Sequence, residues 1–104
     1  MMEEFEHHSL EEIKSKAAGV DPDAYREQIR QLIAHIVSLL VDKPQDVTVT
    51  VYVGPKTTVY RVDCAKENMG QIIGTHGKTI MGLRAVVHAM TARIGIRSII
   101  EIPV

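Results

Sequence analysis

Residues 71–80, QIIGTHGKTI, place two glycines three positions apart between segments that are rich in aliphatic residues. Glycines at both ends of a short loop permit backbone angles that other residues resist, and they carry no Cβ atom to keep a ligand away. A helix that starts directly after such a loop offers free amides and a partial positive charge to phosphate. The stretch therefore predicts a phosphate-binding loop between two helices, for either a nucleotide or the backbone of a nucleic acid.

The nucleotide interpretation rests on Gly77, Lys78 and Thr79, which match the end of the nucleotide-binding pattern G-x-x-x-x-G-K-[ST]. That pattern needs a glycine five residues before Gly77, where this chain has Ile72. It also follows a strand, whereas the segment before this loop is predicted to be helical. The sequence offers no nucleophile with a paired base either. We therefore expect the protein not to be an enzyme, and a phosphate-utilising enzyme is the least favoured alternative.

The composition limits the class of protein. A length of 104 residues with 45% hydrophobic content fits one globular domain with a small core. No apolar run approaches the ~18 residues of a membrane span, and Glu3, Glu4 and Glu6 contrast with the positively charged start of a signal peptide. The single cysteine, Cys64, excludes an internal disulfide and a Cys-x-x-Cys motif. We expect a cytoplasmic protein without membrane contact, bound metal or cofactor.

The net charge of −1 is divided unevenly along the chain. Residues 1–46 carry ten acidic and five basic side chains, whereas residues 66–104 carry five basic and two acidic ones. The glycine loop lies in the basic part. Such an asymmetry is typical of a local anion-binding face.

Two helix start signals precede the rest of the chain. Ser9, three residues before a glutamate, has capping-box spacing and predicts a short helix. Asp21, followed by proline, predicts a second start, after which apolar residues recur at steps of three and four to about Val41. The sequence thus predicts an acidic N-terminal extension with a short helix over residues 1–21 and one folded domain over residues 22–104.

After the second helix the pattern becomes alternating. Valines at every second position over residues 47–53, and a second alternating run over residues 57–64, predict an antiparallel hairpin. A short helical turn over residues 66–73 should precede the glycine loop, and an amphipathic helix that ends at Gly95 should follow it. Residues 97–104 predict a last strand. Three strands covered on one face by helices make an α+β fold.

The glycine loop and its flanks resemble the core of a KH domain, whose GXXG loop clamps the backbone of about four nucleotides. The positions that carry the resemblance are Asn68, Met69, Gly70, Ile72, Ile73, Gly74, Gly77, Lys78, Thr79, Ile80, Leu83 and Arg84. The order of elements is similar to the bacterial type II arrangement, α-β-β-α-α-β with a three-stranded mixed sheet. Residues 25–104, with LLVDKPQDV at residues 39–47, are similar to the small single-domain KhpA (YlqC-like) RNA-binding proteins.

The resemblance implies that the protein binds single-stranded RNA as an RNA chaperone or post-transcriptional regulator. It implies a Jag-type (KhpB-like) KH protein or a second copy of the chain, as a homodimer, as a further partner. The residues that it assigns to RNA are Gly74, Thr75, His76, Gly77 and Lys78 at the phosphates, Ile72, Ile73 and Ile80 in the groove floor, and Arg84 and Arg97 as added charge. The opposite groove wall should come from about residues 93–99.

The middle of the loop departs from the KH pattern, which commonly has Lys or Arg where this chain has Thr75 and His76. We therefore expect weak, salt-sensitive binding that strengthens as the pH falls through about 6.5, the ordinary pKa of histidine. The alternative function is a KH-fold protein-protein interaction module with weak or vestigial RNA binding, which the acidic N-terminal half favours. The acidity of residues 1–20 also leads to the hypothesis that they dock on the basic face and inhibit RNA binding.

Overall fold

The computed structural model describes residues 9–103, which form a three-stranded sheet with helices packed on one face. In chain order the elements are α1 (Leu10–Ala18), α2 (Pro22–Leu40), a 3-10 turn (Pro44–Asp46), β1 (Thr48–Val53), β2 (Thr58–Asp63), α3 (Lys66–Ile73), a second 3-10 turn (Thr75–Gly77), α4 (Lys78–Ala92) and β3 (Ser98–Glu101). This order confirms the predicted α+β domain behind an additional helix. The first eight residues of the predicted extension, and the predicted strand end at residue 104, lie outside the described residues.

Both predicted helix starts are confirmed by their caps. The Ser9 hydroxyl accepts a hydrogen bond from the Glu12 amide at 3.1 Å, and α1 ends where Gly19 turns left-handed. A carboxylate oxygen of Asp21 accepts from the Ala24 amide, also at 3.1 Å, with proline at the first position of α2. These local bonds satisfy amides that have no partner within a helix.

The sheet has the order β1-β2-β3 and is mixed. The hairpin pairs β1 and β2 antiparallel, with Val51 opposite Tyr60, whereas β2 and β3 run parallel, with Tyr60 opposite Ile100. The parallel pairing requires a crossover, which α3, the glycine loop and α4 provide. The loop is therefore held between two helices that pack against the sheet.

The core lies between the helices and the inner face of β2, the central strand. Tyr60 and Val62 are fully buried on this strand and meet α2, α3 and α4. The other buried aliphatic residues of this cluster are Ile29, Ile33, Val37, Val41, Val49, Ile72, Ile80, Leu83, Val87 and Ile100. The period-two and 3-4 patterns of the sequence thus correspond to the faces that meet here.

The opposite face of the sheet carries an apolar row that crosses all three strands. Tyr52 pairs with Val59, which pairs in turn with Ile99. Tyr52 is 54% exposed and Ile99 is 50% exposed. Along each strand these residues alternate with the buried ones, as the pleat requires.

The clearest departures from the predicted bounds are at the last strand and at the end of α4, whereas α3 has the predicted bounds. The last strand covers Ser98–Glu101 rather than residues 97–104, and Pro103 has no amide hydrogen with which to continue the ladder. The predicted helical turn before the glycine loop is an eight-residue helix, α3. The helix α4 ends at Ala92, three residues before Gly95, whose amide donates back to the Ala92 carbonyl oxygen at 3.0 Å.

The helix α1 is joined to the domain by an ion pair to a buried arginine. Arg26 of α2 is only 6% exposed, and one of its guanidinium nitrogens donates to the Glu11 carboxylate at 2.5 Å. The other two nitrogens donate to Asp23 at 2.8 Å and to the Thr58 hydroxyl at 2.9 Å. A buried charge needs such partners. The two segments on either side of the predicted boundary between residues 21 and 22 are therefore in direct contact. The division into an N-terminal extension and a folded domain stays a prediction.

Candidate nucleic-acid interface

The glycine loop is a single 3-10 turn that connects α3 to α4. Gly74, His76 and Gly77 have positive φ angles of 77°, 57° and 72°. The Gly77 amide donates to the Gly74 carbonyl oxygen at 3.1 Å, and the Lys78 amide donates to the carbonyl oxygen of Thr75. Two amides that the sequence led us to expect as phosphate donors are therefore used inside the loop. The exposed side chains of Thr75, His76 and Lys78 are the groups that the loop presents outward.

The two glycines of the loop are required for different reasons. At Gly74, ψ is 171°, a combination with positive φ that only glycine adopts readily. A Cβ atom there would stand 2.2 Å from the Thr79 hydroxyl oxygen, so the loop closes against the start of α4. At Gly77 a Cβ atom would meet nothing within 4 Å. The space beside Gly77 is open, and a ligand backbone can approach it.

The helix α3 directly precedes the loop, whereas the nucleotide-binding pattern follows a strand. This observation removes the structural context that the nucleotide interpretation needs. Within residues 9–103 no group of three or more His, Cys, Asp or Glu side chains could hold a metal ion. The thiol of Cys64 is half-buried, and this burial, together with the Asp63 charge, raises the pKa of Cys64 above its ordinary value.

A groove of about 350 Å³ lies between α4 and β3. It is lined by Arg84, Val87, His88, Ser98, Ile99 and Ile100. Its exposed surface is mainly apolar, and among these described lining residues none is acidic. A groove of this kind can pack against a base and attract the phosphate beside it.

The backbone edge of β3 forms one side of this groove. The Thr58 amide donates to the Arg97 carbonyl oxygen at 2.8 Å, so the backbone groups of Arg97 are directed toward β2. Because the backbone groups of successive strand residues point to opposite sides, every second residue after Arg97 is directed the same way. The backbone groups of Ser98 and Ile100 therefore point away from β2, toward the groove. A guanidinium nitrogen of Arg84 donates to the Ile100 carbonyl oxygen at 3.1 Å.

The structure separates the predicted site residues into three sets. Thr75, His76 and Lys78 are exposed in the loop, and Arg84 lines the groove. The predicted floor lies deeper, because Ile72 has no exposed surface, Ile80 is 5% exposed and Ile73 is half-buried. None of these three isoleucines lines the groove between α4 and β3, so the predicted floor is not part of it. Arg97 is exposed at the turn before β3 and does not line this groove.

The sequence alone indicates no binding role for Val87, His88 or Ile100, although all three line the groove. A weak signal was present, since Arg84, Val87 and His88 stand at helical positions i, i+3 and i+4 and therefore share one face. The same spacing also fits an ordinary buried face. A groove-lining face can be distinguished from a buried face only once it is known that β3 packs beside α4.

In chain order, a helix and a strand precede the central strand, which is followed by a helix, the glycine loop, a second helix and a parallel edge strand. This arrangement defines a KH domain of type II. None of the helices in the described part of the chain has both the length and the apolar character needed to cross a membrane.

Comparison with known proteins gives the family. The family model described as KhpA/KhpB, KH domain, matches residues 30–102, and the chain belongs to this family. Among its relatives, "RNA-binding protein KhpA" of Chlamydia pneumoniae is 32% identical over 74 residues, which cover 71% of this chain and 95% of the relative. The Chlamydia trachomatis serovar D protein of the same name is 34% identical over the same coverage. The one from Listeria monocytogenes serovar 1/2a is 34% identical over 65 residues, 62% of this chain and 86% of the relative. No solved structure matches the chain.

Proposed function

We propose that this protein binds single-stranded RNA through the glycine loop and the groove between α4 and β3, and that it acts as an RNA chaperone or post-transcriptional regulator. The observation that carries the proposal is the open space beside Gly77, which adjoins the exposed side chains of Thr75, His76 and Lys78. The names of the relatives, which are RNA-binding proteins, support the same ligand.

The contacts divide between backbone and bases. Lys78 and Arg84 attract phosphates, and the mainly apolar surface of the groove packs against bases. The chain has no tryptophan, its only phenylalanine is residue 5, and no tyrosine is among the described residues that line the groove, so aromatic stacking is not the main device. Aliphatic packing distinguishes bases poorly, which predicts modest sequence preference and strong dependence on salt.

The test is fluorescence anisotropy with short single-stranded RNA and a variant that adds negative charge to the loop, Thr75→Asp/His76→Asp. Aspartate tolerates the positive φ of 57° at residue 76 better than most side chains do, so the fold should persist. The matched control is Gln28→Glu/Gln31→Glu, which adds the same charge at exposed positions of α2. The loop variant should lose binding by about tenfold or more, and the control should change it about twofold at most.

A second candidate function, a protein-protein interaction module, is supported by the apolar row of Tyr52, Val59 and Ile99 on the open face of the sheet, in which Tyr52 and Ile99 are exposed. Exposed apolar rows of this kind mark contact surfaces. The partner is a second copy of the chain or a KhpB-like KH protein. Negligible RNA affinity of both wild type and loop variant, together with a dimer that Tyr52→Glu dissociates in analytical ultracentrifugation, would replace RNA binding by this function.

A further inference from the structure

The helix α1 precedes residues 30–102, the part of the chain that matches the family model, yet it packs closely on that part. A Cβ atom at Gly95 would stand 2.5 Å from the Leu10 carbonyl oxygen and 2.9 Å from the Glu11 Cα atom. The start of α1 is therefore in direct backbone contact with the turn between α4 and β3. Together with the ion pair of Glu11 and Arg26, this contact fixes the position of α1.

A second groove, of about 230 Å³, follows from this packing. It is lined by Leu10, Lys14, His88, Ala92, Gly95, Ile96 and Arg97. Its surface is mainly apolar, with Lys14 from α1 and Arg97 from the turn as its cations. Among the described residues that line it, none is acidic, and the carboxylate of nearby Glu11 is hydrogen-bonded to Arg26.

The two grooves meet at His88, which lines both of them. Arg84, His88 and Ala92 stand at steps of four on α4, so one stripe of this helix runs from the first groove into the second. A ligand that leaves the first groove at its His88 end therefore enters a surface of the same chemistry.

We propose that α1, the end of α4 and the turn before β3 form a second nucleotide subsite, which holds the next part of the same single-stranded RNA. This inference rests on the proposed function. Leu10, which is 58% exposed, offers apolar contact to a base, while Lys14 and Arg97 attract the adjoining phosphates. The predicted role of Arg97 in RNA binding is thus at this subsite. The first part of α1 adds binding surface here, in contrast to the inhibitory docking that its acidity suggested.

The experiment compares single-stranded RNAs of about four and about eight nucleotides, because a KH groove alone holds about four. Fluorescence anisotropy should give tighter binding of the longer RNA by the full-length wild type. Lys14→Ala should weaken binding of the longer RNA about threefold or more, reduce its salt slope by about one, and leave the shorter RNA unchanged. Lys16→Ala, which removes the same charge from an exposed position of α1 outside the groove, is the matched control and should change neither. Alanine preserves helix propensity in both variants.

Equal losses for both RNA lengths, or equal losses in Lys14→Ala and Lys16→Ala, would overturn the second subsite, because they would reflect net charge alone. Tighter binding by Lys14→Ala would also overturn it, since Lys14 would then oppose RNA binding. If the wild type binds the short RNA normally and Lys14→Ala loses no additional affinity for the longer RNA, this inference alone is overturned. A wild type that binds neither RNA overturns the proposed function and this inference with it.

Discussion

The guanidinium group of Arg84 donates a hydrogen bond to the Ile100 carbonyl oxygen at 3.1 Å, so one side chain spans the groove between α4 and β3. The acceptor belongs to the free edge of the sheet, and the rest of the Arg84 side chain is exposed. The same cation therefore joins the two groove walls and lines the groove that we propose for RNA. An arginine can serve both purposes because it has several donors in a fixed fork.

Replacing Arg84 by glutamine should weaken RNA binding about three- to tenfold through the lost charge, while the free energy of unfolding falls by about 1 kcal/mol at most. Anisotropy titrations and urea unfolding measure the two effects separately. The control is Lys56→Gln, which removes one positive charge at the exposed turn between β1 and β2. If both variants lose affinity equally, Arg84 has no specific part in binding.

Alanine at the two loop glycines should separate folding from binding. Gly74→Ala places a Cβ atom against Thr79 in a backbone region that is nearly exclusive to glycine, and it should destabilise the protein by about 2 kcal/mol or more. Gly77→Ala meets open space, so only its left-handed backbone costs stability, about 1 kcal/mol.

Under conditions in which both variants are folded, the order should be reversed for RNA affinity. Gly77→Ala should weaken RNA binding more than Gly74→Ala does. The Gly77→Ala methyl group occupies the space through which the RNA backbone approaches, and it should lower affinity at nearly native stability. Urea unfolding and anisotropy at low temperature test this. A Gly77→Ala variant with wild-type affinity would contradict a backbone contact at that glycine.

The features that the sequence predicted correctly are those that short segments determine. The caps at Ser9 and Asp21, the alternating strands and the glycine loop each depend on residues within a few positions of one another. The groove could not be predicted in the same way, because it depends on which face of α4 meets the edge of β3. The burial of Ile72 in the core and the ion pair of Glu11 with Arg26 likewise depend on contacts between separate elements.

The ion pairs of Arg26 allow a matched comparison of two carboxylates on one guanidinium group. Glu11→Gln should lower the free energy of unfolding by about 1–3 kcal/mol, since it weakens a charged hydrogen bond to a cation that is almost fully buried. Asp23 is 84% exposed, so Asp23→Asn should cost about 0.5 kcal/mol or less. Urea unfolding at neutral pH measures both. Equal costs would mean that solvent screens the two pairs alike and that α1 is held by other contacts.

The hydroxyl group of Tyr60 makes the free energy of unfolding depend on pH in the alkaline range. Burial in the core raises the pKa of Tyr60 to about 12, and its hydroxyl donates to the Arg26 carbonyl oxygen at 3.2 Å. The folded protein therefore keeps this group neutral where the unfolded chain ionises it, above its ordinary pKa of about 10. The stability from this group is complete below about pH 10 and is lost as the pH rises toward 12, a loss of about 2–3 kcal/mol.

Tyr60→Phe removes the ionisable group, and it should cost about 1 kcal/mol at neutral pH through the lost hydrogen bond. Its free energy of unfolding should then fall less steeply than that of the wild type between about pH 10 and pH 12, and the two curves should converge or cross. Urea unfolding at several pH values gives both curves. The control is Tyr52→Phe, which removes the same hydroxyl group from the exposed tyrosine of the open sheet face, outside the core. A Tyr60→Phe curve that stays parallel to that of the wild type would mean that Tyr60 ionises as readily in the folded protein as in the unfolded chain.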